Sequence, residues 1–79
     1  MTNKRKHQLE RKVRINFSNF NQIIYPKYIG IKFLAQITKL MYDSIWYSYY
    51  RGNITLSETR FMIECVGKYY KNQINKYFN

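Results

Sequence analysis

The chain has 79 residues, enough for one small domain whose core is marginal without a disulfide, a metal or a partner surface. Fourteen Lys and Arg against four Asp and Glu leave a formal charge of +10, which repels itself and favours a polyanion, nucleic-acid phosphate first and an acidic membrane surface second. Hydrophobic residues at 46% and aromatics at 19% exclude a wholly disordered basic tail, and the single cysteine, Cys65, excludes an internal disulfide or a multi-cysteine zinc site made by this chain alone.

Residues 1–14 hold six of the fourteen basic residues, Lys4, Arg5, Lys6, Arg11, Lys12 and Arg14, opposed only by Glu10. The segment reads as an extended arm that gains order by neutralising RNA phosphates, each contact releasing counterions; the plain alternative is a solvated tail. His7 lies within it and reads as solvated, not as a ligand or a catalyst. Residues 15–25 alternate loosely between apolar side chains (Ile15, Phe17, Phe20, Ile23, Ile24) and Asn, Ser or Gln, which predicts an extended linker. Pro26 disfavours helix at Tyr25 and can open one itself, so a boundary falls there. The predicted organisation is a basic arm and linker over 1–22 and a helical domain over 23–79.

From Tyr28 onward Gly30, Phe33, Leu34, Ile37, Leu40, Met41, Ser44 and Ile45 recur at spacings of three and four, which predicts a helix over about 28–42. Its continuation through Ile45-Trp46-Tyr47-Ser48-Tyr49-Tyr50 stays open, because β-favouring residues crowd that stretch. Arg51-Gly52-Asn53 forms a turn. Thr55-Leu56-Ser57-Glu58 fits a capping box, so a second helix starts there. Its apolar stripe is Met62, Ile63, Val66, Tyr70, Ile74 and Tyr77, with Arg60, Glu64, Lys68, Lys71 and Asn75 on the opposite side and Gly67 as a weak point. The expected fold class is all-α: two main helices joined by a basic turn, with an extended basic N-terminal arm.

Lys27, Lys32, Lys39 and Asp43 interrupt the best candidate for a membrane span, and the N-terminus lacks a signal-like apolar region. Four scattered carboxylates give no paired general acid and base, Cys65 and His7 form no evident nucleophilic pair, and Gly30, Gly52 and Gly67 make no phosphate loop. We therefore expect no enzyme, no cofactor, no metal site and no small-molecule substrate. Arg60, Lys68 and Lys71 can track a phosphate backbone without reading bases, although Arg60, Glu64 and Lys68 also form an i,i+4 ladder. Arg51 sits where a helix-connecting loop would meet RNA, with a solvated turn as the plain alternative. The nine tyrosines suit burial against RNA as well as an ordinary small core. Charge and size together predict an isolated chain that folds poorly at ordinary salt.

The second half resembles the bacterial-type ribosomal small-subunit protein eighteen family. Ile24-Tyr25 resembles that family's approach to its first helix, Phe33-Leu34 its apolar pair, Lys39-Leu40 the end of the first helix, and Arg51 with Thr55 its turn. Thr59-Arg60 stands for a Gln-Arg pair, Val66-Gly67-Lys68-Tyr69-Tyr70-Lys71 resembles the basic run, and Tyr77-Phe78 the terminal aromatic, so the likeness spans residues 23–78. Departures are the extra residues Met41 to Tyr50, a single arginine for a doubled one, and a missing Leu-Leu-Pro. The resemblance implies a helical protein on the platform of the small subunit, bound to its rRNA through cations that include Lys39, and paired with ribosomal small-subunit protein six among other ribosomal proteins. Ile, Lys, Tyr, Asn and Phe account for 41 of the 79 residues, all with AT-rich codons, which suits an organellar ribosome, mitochondrial first, with a plastid ribosome or a bacterial cytoplasm as alternatives. Two other readings compete: a helix-turn-helix DNA regulator, and a phage-type inhibitor that docks its Trp46-Tyr50 block on an acidic host protein.

Overall fold

Residues 1–78 are described in the computed structural model; Asn79, the last residue of the expected helical domain, lies outside them. The described residues are all-helical, as expected, but form three helices where two were predicted: α1 (Asn3–Asn21), α2 (Lys27–Tyr50) and α3 (Leu56–Phe78).

The basic N-terminal segment is the main correction, because residues 3–21 are a helix and not an extended arm and linker. Thr2 caps it, its hydroxyl accepting from the Arg5 N–H at 3.2 Å. Leu9, Val13, Phe17 and Phe20, spaced four, four and three apart, line one side and are all buried. Burial of that stripe offsets the mutual repulsion of the cations on the same helix.

The boundary at Pro26 holds. Its carbonyl accepts from the Gly30 N–H at 2.8 Å, and α2 begins at Lys27. α2 continues to Tyr50, so Lys39 and Leu40 lie in mid-helix and do not end it. The helix closes by a Schellman pattern: the Asn53 N–H donates to Ser48 and the Gly52 N–H to Tyr49, both at 2.9 Å. Gly52 takes φ +79, a left-handed geometry that a side chain would strain. The buried residues of α2 are Gly30, Leu34, Thr38, Met41 and Ile45. Phe33, Leu40 and Ser44, expected on the core stripe, are exposed, and Thr38 takes a core position by donating its hydroxyl to the Leu34 carbonyl at 2.8 Å.

The capping box forms as predicted. The Glu58 N–H donates to the Thr55 hydroxyl at 3.1 Å, and the Thr55 N–H to the Glu58 carboxylate at 2.9 Å. α3 is the central helix, packed against both others, while α1 and α2 touch only lightly. Arg5 meets Glu58, Lys6 lies over Phe61 and Phe17 stacks on Tyr69, so α1 runs parallel to α3. Gly30 faces Tyr77 at one end of the α2–α3 pair and Gly67 faces Tyr42 nearer the turn, so those two helices are antiparallel. A 24-residue helix rises about 36 Å at about 1.5 Å per residue, which accounts for the 38 Å long axis of the molecule. The core is Val13, Phe17, Phe20, Leu34, Met41, Ile45, Cys65 and Val66.

Candidate nucleic-acid interface

Having α1 folded alongside α3 turns the N-terminal cations from a mobile arm into fixed positions on a surface. Lys4 and Arg11 are exposed on the side of α1 opposite its buried stripe. Arg60, Lys68 and Lys71 are exposed on α3, with Glu64 and Asn75, on the side predicted for them. The seam between these helices unites cations from distant parts of the sequence. Lys6 of α1 and Arg60 of α3 line one shallow groove of about 530 Å³ with Ser57 and Phe61, and the Lys6 ammonium stands 6.0 Å from the Phe61 ring centre. Phe61 also lines the next recess, of about 380 Å³, beside Lys68 and Asn72. Cations and amide or hydroxyl donors therefore line the seam, the kind of groups that position a phosphate backbone without reading bases.

Other predicted contacts are not brought to this face. Arg5 is bound in an ion pair with Glu58 and its side chain is only 34% exposed, so it ties α1 to the capped start of α3 and is not free for phosphate. That pairing and the Thr55 N–H together hold the Glu58 carboxyl below its ordinary value of 4.5. Arg14 lies 3.8 Å from Glu10, whose carboxylate also accepts from the Tyr69 hydroxyl. Burial first, and that hydrogen bond second, push the Tyr69 hydroxyl up to about 12. Lys12 lies at the other edge of α1, on a cleft of about 230 Å³ between α1 and α2 that mixes Leu9, Val13, Met41 and Ile45 with Asn16 and Ser44. Lys39 is on the outer side of α2, and Arg51 is in the turn at its end.

Only two of the fourteen basic side chains, Arg5 and Arg14, sit in ion pairs among the described residues. Cys65 is buried and desolvation raises its thiol above its ordinary value, which suits a core residue and not a nucleophile. No group of three metal-ligating side chains occurs among the described residues, and no helix there is long and apolar enough to cross a membrane. The sequence reading missed Phe61 and the seam. The signal was present as the row Phe61, Cys65, Tyr69, an apolar line beside the predicted stripe, which makes the apolar arc of α3 too wide for a single neighbouring helix.

Comparison of the chain with protein-family models, with curated proteins and with solved structures gives no match.

Proposed function

We propose that this chain is a non-enzymatic RNA-binding protein that acts as a structural constituent of a small ribosomal subunit, holding small-subunit rRNA against the outer surface of α1 and α3. The observation that carries RNA binding is the set of uncompensated cations on two parallel helices: Lys6, Arg60 and Lys68 beside the seam, Lys71 farther along α3, and Lys4 and Arg11 on the outer side of α1 are all exposed, and none of them is in an ion pair among the described residues. The ribosomal placement rests on the family resemblance over residues 23–78 alone. So does the pairing with ribosomal small-subunit protein six, for which Ile29, Phe33 and Leu40 on the outer side of α2, 45%, 38% and 66% exposed, offer an apolar surface. A helix-turn-helix regulator is less well supported, since that motif crosses its helices at about 90–120° and α2 and α3 are antiparallel along their length.

The test is the salt dependence of binding to a small-subunit rRNA platform fragment and to a DNA duplex of equal length. Replacing Lys6, Arg60 and Lys68 together by Gln should lower the slope of log K against log salt by about 3 phosphate contacts and leave the fold intact. Co-sedimentation with small ribosomal subunits in high salt should accompany it. Preference for the DNA duplex, or an unchanged slope in the triple variant, refutes the reading.

A further inference from the structure

The far end of α2 carries a second surface, unlike the cationic seam. Trp46, Tyr49 and Tyr50 form a mutual cluster, with ring centres 5.9 Å apart for Trp46 and Tyr49, 6.2 Å for Trp46 and Tyr50, and 5.6 Å for Tyr49 and Tyr50. Around the same helix end, Arg51 lays its guanidinium 5.5 Å from the centre of the Tyr47 ring and donates to the Tyr47 hydroxyl at 3.3 Å. The core cluster is built without any of these four aromatics. Tyr50 is 78% exposed and Tyr47 61%, although burial of such rings is the usual gain from having them.

The surface is also held rigidly. The Schellman closure at Gly52 fixes the last turn of α2, and Tyr50 leans on both Trp46 and Tyr49, at interplanar angles of 31° and 54°, while staying largely exposed. Flat, neutral, pre-ordered rings beside a guanidinium fit a planar base with its attached phosphate: the ring takes the base by stacking and Arg51 takes the charge. An anionic membrane surface fits less well, because it is held by clusters of cations and Arg51 is the one cation between Asp43 and Asn53. A duplex fits less well too, since its bases are already stacked on one another.

We propose that Trp46, Tyr47 and Tyr50 with Arg51 form a stacking site for unpaired nucleotides, so that the protein grips paired RNA by phosphate along the α1–α3 seam and a single-stranded loop or end at the tip of α2. This rests on the RNA-binding reading above. Trp46 is the only tryptophan, so its fluorescence reports on the site directly. Titration of the full chain with a uridine homopolymer should quench Trp46 saturably, whereas a fully paired RNA of equal phosphate content should bind without quenching it. Tyr50→Ala should weaken the single strand about 5- to 150-fold, the range expected from losing one stacked base, and leave the duplex affinity unchanged; Tyr50→Phe should restore it, because stacking needs the ring and not the hydroxyl. Far-UV circular dichroism checks that the helices persist in each variant. Binding of both RNAs without quenching, or equal quenching by both, overturns the stacking site while leaving RNA binding in place. An unchanged single-strand affinity in Tyr50→Ala overturns it as well. Failure of every polynucleotide to bind overturns the RNA-binding reading and this site with it.

Discussion

Phe17→Ala tests whether α1 belongs to the folded body. Phe17 is 1% exposed and stacks on Tyr69 with ring centres 5.5 Å apart. Truncating a buried Phe to Ala costs about 3–5 kcal/mol, through lost transfer free energy and the cavity left behind. A 79-residue domain at about 0.05–0.15 kcal/mol per residue has some 4–12 kcal/mol in total, so the loss should remove about a quarter or more of the stability. Ile15→Ala is the internal control: it lies on the same helix, is 47% exposed, and should change stability by less than about 0.5 kcal/mol. Urea unfolding followed by far-UV circular dichroism measures both, at a salt concentration high enough to screen repulsion among the cations. If Phe17→Ala proves as mild as Ile15→Ala, α1 does not pack on α3 and the N-terminus is the loose arm that its charge suggests.

The remaining predictions concern single positions. Gly52→Ala should destabilise by about 1 kcal/mol or more because of its φ of +79, and Gly52→Asn by less, since Asn tolerates that region; equal costs in urea melts would contradict the Schellman closure. Gly67→Ala should stabilise by up to about 1 kcal/mol, because a Cβ there meets nothing closer than the Tyr42 hydroxyl at 3.7 Å; a lowered Tm would show hidden crowding. The lowered Glu58 carboxyl contributes stability that is present above its ordinary value of 4.5 and lost as pH falls through its folded-state value, so Glu58→Gln should flatten the acid limb of Tm against pH. Tyr69 has the opposite sign. Its stabilisation is complete below its ordinary value of 10 and fades as pH rises towards about 12, and Tyr69→Phe should abolish that alkaline loss.

How legible each element was follows from how local its signal is. The start of α3 was readable because a capping box is a four-residue pattern, and Thr55 and Glu58 bond each other as the spacing requires. The exposed side of α3 was readable because Arg60, Glu64, Lys68, Lys71 and Asn75 keep helical spacing across about four turns. α1 was missed because its stripe is thin and straddles a change in composition: Leu9 and Val13 sit among cations, Phe17 and Phe20 among amides, and neither half is periodic alone. The extension of α2 is not legible in the sequence because aromatic residues favour strands in general; here Trp46 and Tyr50 meet at i,i+4 on a helix, and Gly52 supplies a stop five residues beyond Tyr47. The core position of Thr38 had no sequence signal, since a hydroxyl satisfied by its own helix looks like any polar residue.

The difference between an arm and a helix changes what deletion of residues 1–14 can reveal. Were the segment an arm, its loss would weaken RNA binding, reduce the salt slope by up to about six contacts and leave the fold untouched. In the three-helix body the same deletion takes away Leu9 and Val13, both at or below 2% exposure, and the Arg5 partner of Glu58, so binding and folding fail together. Charge must therefore be removed without touching the stripe. Lys4→Gln with Arg11→Gln does this, because both side chains point away from α3; the pair should lower the slope by about 2 contacts at unchanged Tm. A deletion of residues 1–14 that keeps the full Tm and loses only RNA affinity would reverse the conclusion, since a helix whose burial stabilises the core cannot be removed without cost.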